Sequence, residues 1–147
     1  MQKISNETKM EPKEYNKLLK HINISNVILK EIKSTLHKFS IDEKAKLEFE
    51  ESAHVVELTD DIANIEISYS LKAIAKRRRI FVINAKYIVV FGSDRPIPKE
   101  FFDIYNEISL PLQTFPYFRE LVNSTISKMG LPPLILPLRK FLVGDVK

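Results

Sequence analysis

The stretch that decides the fold is residues 114–138, TFPYFRELVNSTISKMGLPPLILPL. Its apolar side chains recur at helical spacing and form one stripe, which comprises Phe115, Phe118, Val122, Ile126 and Met129. Thr114 is a residue type that caps helix N-termini, and Pro116 suits a first turn, where its missing N–H costs nothing. Gly130 can take the left-handed conformation that ends a helix. We therefore predict a helix from Thr114 to the glycine, packed on one face and followed by an extended tail.

Four candidate strands precede this helix. Residues 45–58 and 64–75 alternate apolar and polar side chains, which predicts strands with one buried face. Residues 80–91 carry apolar side chains on both faces, which predicts a strand at least partly buried on both sides. Residues 24–39 are rich in β-branched side chains, and their spacing changes near Leu29, which indicates a bulge or a bend.

Prolines mark the other helices. Pro12 can open a short helix, and Pro98 can open one that runs to about Ile108. Pro111 separates this second helix from the helix that begins at Thr114. The order of elements predicts one α+β domain over the whole chain, with a four-stranded antiparallel meander and helices packed on one face. Its predicted parts are a variable N-terminal segment (1–23), the sheet (24–92), two helices (97–130) and the extended tail (131–147).

Composition limits the class of protein. A chain of 147 residues can bury the core of a single domain. It contains no run of 18 apolar residues and its N-terminus lacks the apolar region of a signal peptide, so we predict a cytoplasmic protein without membrane insertion. It has no cysteine, which excludes disulfides, thiolate metal sites and a cysteine nucleophile. Its three glycines cannot build a glycine-rich phosphate loop.

No motif indicates catalysis or metal binding. The histidines His21, His37 and His54 fall on three different predicted elements and lack the paired spacing of metal ligands. The carboxylate pairs at 42–43, 50–51 and 60–61 are typical of turns and solvated strand positions. Neither Ser124 nor Ser127 lies in a nucleophile elbow. We therefore predict no catalytic residue, no metal and no cofactor, and the protein is not expected to be an enzyme.

The sharpest charge feature is a run of four cations at the predicted hairpin tip, which comprises Lys76, Arg77, Arg78 and Arg79. It is a candidate contact for an acidic partner, a phosphate backbone or an anionic membrane surface. The alternative is a hydrated tip whose charges prevent edge pairing. Because no aromatic set beside the run makes a base-stacking platform, nucleic acid is not the expected partner.

The chain also has many large apolar side chains for its size. Nine Phe and five Tyr residues, with one strand apolar on both faces, exceed what one small sheet and two helices can cover. Such a chain is expected either to oligomerise or to keep an apolar groove for a ligand, such as an extended peptide. The alternative is that all of these side chains belong to the core.

From Pro98 onward the sequence resembles SecB, the bacterial protein-export chaperone family. The residues that carry the resemblance are Ile97–Phe101, the stretch Phe115-Pro116-Tyr117-Phe118-Arg119-Glu120, Ser124, Ser127, Gly130, Leu131-Pro132-Pro133-Leu134, Leu136-Pro137 and Arg139-Lys140-Phe141. SecB proteins have a Phe/Tyr-Pro-Tyr-Ala-Arg-Glu stretch, a serine-bearing helical segment, a glycine and Phe-Pro-x-Leu-x-Leu-x-Pro. The motif covers the last third of the chain, and the predicted strand order extends the agreement over most of it.

The resemblance implies a fold, an assembly and a function. The fold is a four-stranded antiparallel sheet with helices on one side, assembled as a dimer of dimers with the long helix between dimers. The implied function is a holdase that binds unfolded or precursor polypeptides in apolar grooves without ATP and passes them to SecA. The residues implied in the interface or fold are Phe115, Tyr117, Phe118, Arg119, Glu120, Val122 and Ile126. The candidate client-binding residues are Phe39, Phe49, Tyr69, Phe81, Tyr87 and Phe91.

Two departures keep an alternative open. SecB proteins that act in export are acidic and contact SecA through acidic sheet residues, whereas this chain has a formal net charge of +4. Export SecB proteins also continue into a C-terminal helix, which we do not expect here because only Leu142–Lys147 follow Phe141. Small SecB-like chaperones also occur beside toxin–antitoxin pairs and hold an antitoxin. A dedicated antitoxin chaperone, or another SecB-fold binding protein without an export role, is therefore the alternative.

Overall fold

The computed structural model describes residues 10–38 and 45–134. Its elements in chain order are helix α1 (Pro12–Leu19), strands β1 (Ile22–Leu36), β2 (Lys46–Leu58), β3 (Ile62–Ala75) and β4 (Arg78–Ser93), and helix α2 (Lys99–Lys128). The strands form one antiparallel sheet, and α2 packs against one of its faces, which we call the inner face. The predicted α+β class with a four-stranded antiparallel sheet is confirmed.

The strand order is β1–β4–β3–β2, so the predicted meander is correct only for β2, β3 and β4. β1 pairs with β4 and lies at the opposite edge of the sheet from β2. Three strand spacings of about 4.8 Å separate the two edges by roughly 14 Å. Side-chain alternation determines which face of the sheet a residue occupies, but it carries no information about which strand is the neighbour. The position of β1 was therefore not predictable from the pattern.

The core lies between α2 and the two central strands. Cross-strand partners share a face of the sheet, and along β3 and β4 every second side chain faces α2. The buried members of this set include Ile65, Ile67, Tyr69, Leu71, Ile83, Tyr87, Val89 and Phe91. Burial falls at both edges, because Phe49 and Val55 of β2 are only half-buried and Leu29 and Ile32 of β1 are exposed. The helix therefore covers a narrower area than the sheet presents.

The region from Lys99 to Lys128 is one helix, and the prediction of two helices is wrong. Pro111 and Pro116 both lie inside it. A proline in a helix removes one N–H donor and crowds the preceding turn, but packing can hold the segments together. Here Phe102 before the prolines and Phe118 after them are both buried against the same sheet, which keeps the two parts on one continuous helix. Thr114 is consequently a buried interior residue and not the predicted N-cap.

The C-terminal end of α2 confirms the predicted stop. Gly130 has a φ of +71°, the left-handed conformation that a glycine adopts without strain. Its N–H donates to the Ser127 carbonyl at 3.1 Å, and the Leu131 N–H donates to the Ile126 carbonyl at 3.3 Å. This pair of hydrogen bonds is a Schellman motif, and the accompanying apolar residues Leu131 and Ile126 are both buried.

The N-terminal helix and the bulges of β1 also agree with the sequence. α1 begins at Pro12, and the Tyr15 ring stacks on Phe101 of α2 with ring centroids 4.9 Å apart. The pairing of β1 with β4 shifts register between Ile24 and Asn26 and again between Leu29 and Glu31. The second shift lies where the spacing of apolar residues predicted a bulge or bend.

Candidate functional site

The residues considered for chemistry do not come together. His21 lies 3.0 Å from Asp94, and His54 lies 3.4 Å from Glu66 at a different part of the sheet. Within residues 10–38 and 45–134, no group of three or more His, Asp or Glu side chains could hold a metal ion. Neither described helix is long and apolar enough to cross a membrane. Of the carboxylate pairs, that at 42–43 lies outside the described residues.

Most of the predicted client-binding aromatics belong to the core. Tyr69, Phe81, Tyr87 and Phe91 are each at most 4% exposed beneath α2, so the structure assigns them to packing and not to an open groove. Their strand faces were predicted correctly, but the alternation pattern does not show which face the helix covers. Phe49 differs because β2 is an edge strand. It is half-buried and contacts the Phe115 ring edge-on at 5.7 Å. Phe39 lies outside the described residues.

A buried chain of hydroxyl groups joins the sheet to α2. The Thr114 hydroxyl donates to the Leu110 carbonyl at 2.9 Å and lies 2.6 Å from the Tyr69 hydroxyl. A carbonyl oxygen can only accept, so the single Thr114 hydroxyl proton is used there and Tyr69 must donate to Thr114. Burial raises the pKa of Tyr69 well above its ordinary value. Tyr69 is thus a neutral donor that anchors the helix.

The α2 residues implied by the SecB motif include both buried and exposed side chains. Phe115, Phe118, Val122 and Ile126 are buried against the sheet and are fold residues. Tyr117 and Glu120 are exposed and Arg119 is half-buried, and the centroid of the Tyr117 ring lies 6.5 Å from that of Tyr87 in β4. Ile108 and Leu112 of α2 are also exposed and lie off the predicted apolar stripe.

Large apolar side chains remain exposed in three places, with exposed fractions between 36% and 56%. The β1 surface comprises Ile24, Leu29 and Ile32 on the inner face of this edge strand and Ile28 on its outer face. The α2 surface comprises Ile108 and Leu112, which are one helical turn apart, and Tyr117 is exposed at another position of α2. The β2–β3 corner comprises Val56, Leu58 and Ile62. Contiguous exposed apolar surface is typical of interaction sites. In the sequence, β1 has apolar residues at both odd and even positions. That pattern is also typical of a strand buried on both faces, so it does not by itself predict an exposed surface.

Both edges of the sheet offer main-chain hydrogen-bonding groups. β1 pairs only with β4 and β2 pairs only with β3 among the described residues. An edge strand of this kind can pair with another extended chain. Charged side chains alternate with the half-buried ones along β2, including Lys46, Glu48 and Glu50. The β2 edge therefore combines a polar rim with a partly covered apolar row.

The outer face of the sheet carries a cross-strand charge cluster. Glu66 of β3 accepts a hydrogen bond from Lys30 of β1 at 2.7 Å and lies near His54 of β2. The hydrogen bond from Lys30 lowers the pKa of the Glu66 carboxyl. Glu66 has little exposed surface because its neighbours' side chains cover it, although it is not deep in the protein. Beside this cluster lies a shallow cleft of about 340 Å³, whose polar lining includes Ser52, Ser68, Ser70 and Asn84.

The predicted hairpin tip is a two-residue turn between β3 and β4. Lys76 and Arg77 have φ values of +48° and +63°, which is the left-handed region. Arg78 and Arg79 follow as the first residues of β4, and all four cations are exposed. The tip and its charges are therefore where the sequence predicted them.

Comparison with known proteins defines the family. The sequence profile of "Preprotein translocase subunit SecB" matches residues 16–142. Protein-export protein SecB of Methylobacillus flagellatus is 23% identical over 94 residues, covering 64% of this chain and 59% of that protein. Protein-export protein SecB of Burkholderia mallei is 26% identical over 118 residues, covering 78% of this chain and 74% of that protein.

A solved structure shares the fold. It is a Mycobacterium tuberculosis SecB-like chaperone in complex with a peptide from the HigA1 antitoxin. The TM-score is 0.68 and the identity 18%, with 83% of this chain and 93% of that chain covered. Because the family profile matches most of the chain, this protein belongs to the SecB family. The family, the curated relatives and the structural neighbour together support a SecB-like chaperone.

Proposed function

We propose that the protein is a holdase, which binds unfolded polypeptides without ATP and protects them from aggregation. The observation that carries this proposal is the set of large apolar side chains that remain exposed beside two unpaired sheet edges. Unfolded chains expose apolar side chains and free main-chain groups, so these surfaces fit them chemically. Membership of the SecB family supports a binding protein and not an enzyme.

The client is proposed to lie along β2. We call this the client surface, and it comprises Leu47, Phe49, Ala53 and Val55, which are half-buried, with Val56, Leu58 and Ile62 at the β2–β3 corner. An extended client can pair with the β2 edge through its main chain and place alternate side chains on the apolar row. Of the aromatics predicted from the sequence, Phe49 remains a candidate contact.

The protein is also proposed to self-associate. The SecB resemblance places the long helix between dimers, and the α2 surface supplies the exposed apolar residues that such an interface needs. The β1 surface can pair with a second copy around a two-fold axis, because antiparallel strands make a self-complementary edge. Several client surfaces in one assembly would let weak contacts add up along one client. The predicted cytoplasmic location and the dimer or tetramer belong to this proposal.

An aggregation assay tests the holdase proposal. The purified protein should suppress light scattering of a chemically denatured client at stoichiometric amounts in the absence of nucleotide. The double variant Val56→Ser/Leu58→Ser changes two exposed residues of the client surface and should suppress less. Glu48→Gln, at an exposed position on the outer face of β2, is the matched control and should behave as the wild type. Absence of suppression by the wild type at several-fold excess would contradict the proposal.

A dedicated antitoxin chaperone is the second candidate. It is favoured by the fold shared with the SecB-like chaperone of Mycobacterium tuberculosis, whose structure holds an antitoxin peptide. Such a protein would protect one antitoxin and leave generic clients to aggregate, whereas the export form would bind precursors and SecA. Aggregation assays with several unrelated clients, followed by SecA binding, separate the two.

A further inference from the structure

One end of the sheet gathers positive charge from all four strands. β1 ends there, β2 begins there, and the β3–β4 turn lies between them, since Lys46 is opposite Ile74 and Ile74 is opposite Arg79. The basic end comprises Lys38, Lys46, Lys76, Arg77, Arg78 and Arg79, all of them exposed. The connection 39–44 lies outside the described residues.

The three arginines of the basic end are not neutralised by the described part of the chain. Arg77, Arg78 and Arg79 make no ion pair with any residue that the structure describes. Like charges at about one strand spacing repel one another, and this electrostatic repulsion is strongest at low salt. The basic end therefore presents three guanidinium groups, those of Arg77, Arg78 and Arg79, that no described carboxylate neutralises.

The backbone of the turn supplies a second observation. Lys76 and Arg77 both have positive φ, a conformation that Asn and Gly adopt more easily in a two-residue hairpin. A hairpin selected only for stability would carry Asn-Gly at these positions. Non-glycine residues held in the left-handed region tend to lie at functional sites. Here the two residues with positive φ are also charged and exposed.

The chemistry of the basic end selects its ligand. Guanidinium groups bind carboxylates through paired hydrogen bonds. Among the described residues at this end, no Phe or Tyr is exposed, and Phe81 is buried. The bases of a nucleic acid would therefore find no exposed aromatic ring there to stack on. The client surface begins at the same end, where half-buried Leu47 and Phe49 follow Lys46 along β2. A polypeptide on the client surface would therefore extend over the basic end.

We propose that the basic end binds an acidic segment of a client polypeptide that flanks the apolar segment held on β2. This inference rests on the proposed holdase function and specifies its client class. Preferred clients carry a run of Asp or Glu beside an apolar stretch. A client flanked by Lys or Arg is disfavoured by repulsion.

Three labelled peptides test the inference by fluorescence anisotropy. They share one apolar segment and differ in a flanking run of four Glu, four Gln or four Lys. Several exposed ion pairs acting together should make the Glu peptide bind about tenfold more tightly than the Gln peptide at low salt, and salt should remove the difference. Equal affinities for the Glu and Gln peptides would overturn the inference without affecting the holdase proposal, whereas no binding of the Gln peptide would contradict the holdase proposal itself.

Variants of the basic end complete the test. Lys76→Asn/Arg77→Gly places the preferred pair in the turn, so a loss of binding cannot be assigned to unfolding. Combined with Arg78→Gln and Arg79→Gln, it should abolish the preference for the Glu peptide and leave affinity for the Gln peptide unchanged. Lys13→Gln/Lys17→Gln on α1, where both lysines are exposed, is the control and should keep the preference. A single-stranded RNA oligonucleotide is measured in parallel, and tighter binding of the RNA than of the Glu peptide would overturn the choice of ligand.

Discussion

At the scale of single residues, the attachment of α2 depends on how three polar atoms share two protons. Tyr69 donates to Thr114, and Thr114 donates to the Leu110 carbonyl. Thr114→Val removes the hydroxyl that takes part in both hydrogen bonds, and it leaves the buried Tyr69 hydroxyl without an acceptor. This loss should lower the free energy of unfolding by about 1–3 kcal/mol. Tyr69→Phe leaves the Thr114 proton paired and should cost about 1 kcal/mol or less.

Urea denaturation of the two single variants and the double variant measures this coupling. Adding Tyr69→Phe to Thr114→Val should restore part of the lost stability, since it removes the orphaned hydroxyl. Simple addition of the two losses would show that the hydroxyls are not coupled as the structure has them.

Glu66 predicts a pH dependence at the same scale. Its carboxyl faces Lys30, His54 and Lys86, and the hydrogen bond from Lys30 lowers its folded pKa. Stability from a carboxylate with a lowered folded pKa is present at neutral pH and is lost as the pH falls through that pKa. Glu66→Gln should therefore destabilise the protein at neutral pH, and the difference from wild type should shrink as the pH falls through the lowered pKa of Glu66. Denaturation at a series of pH values measures it, with Glu48→Gln as the control. A difference that stays constant with pH would exclude an ionised Glu66 as its source.

At the scale of elements, the β3–β4 turn stores strain that substitution can release. Replacing Lys76 and Arg77 with Asn and Gly should raise the free energy of unfolding by about 1–2 kcal/mol, because both positions have positive φ. Lys76→Ala/Arg77→Ala removes the same charges but keeps the strain, and should gain much less. Equal gains from the two pairs would mean that charge repulsion, and not backbone strain, limits the hairpin.

Elements also show what the sequence could and could not predict. The period-two alternation located the strands within a few residues, and Gly130 identified the end of α2, because both are local properties of the chain. The proline rule failed at Pro111, where contacts with the sheet outweigh a local preference. The client-binding aromatics were placed on the correct strand faces, but Tyr69 and Phe91 are covered by a helix that alternation cannot position. The charges of the turn were predicted, whereas their convergence with Lys46 depends on strand order.

At the scale of the whole molecule, the exposed apolar residues predict self-association. Leu112→Glu places a charge on the α2 surface and should lower the solution mass, with little effect on protomer stability because Leu112 is exposed. Asn123→Glu, at another exposed position of α2, is the control and should leave the mass unchanged. Sedimentation gives the mass. An unchanged mass for Leu112→Glu would exclude the α2 surface from the assembly.

The most direct test of the holdase account is a calorimetric titration with one polypeptide in two states. A disulfide-bonded protein is used in its native form and in a reduced, carboxymethylated form that stays unfolded. The account predicts binding of the unfolded form only, without nucleotide and with a negative change in heat capacity, because apolar surface is buried. Equal binding of both forms, or no binding of the unfolded form, would contradict it.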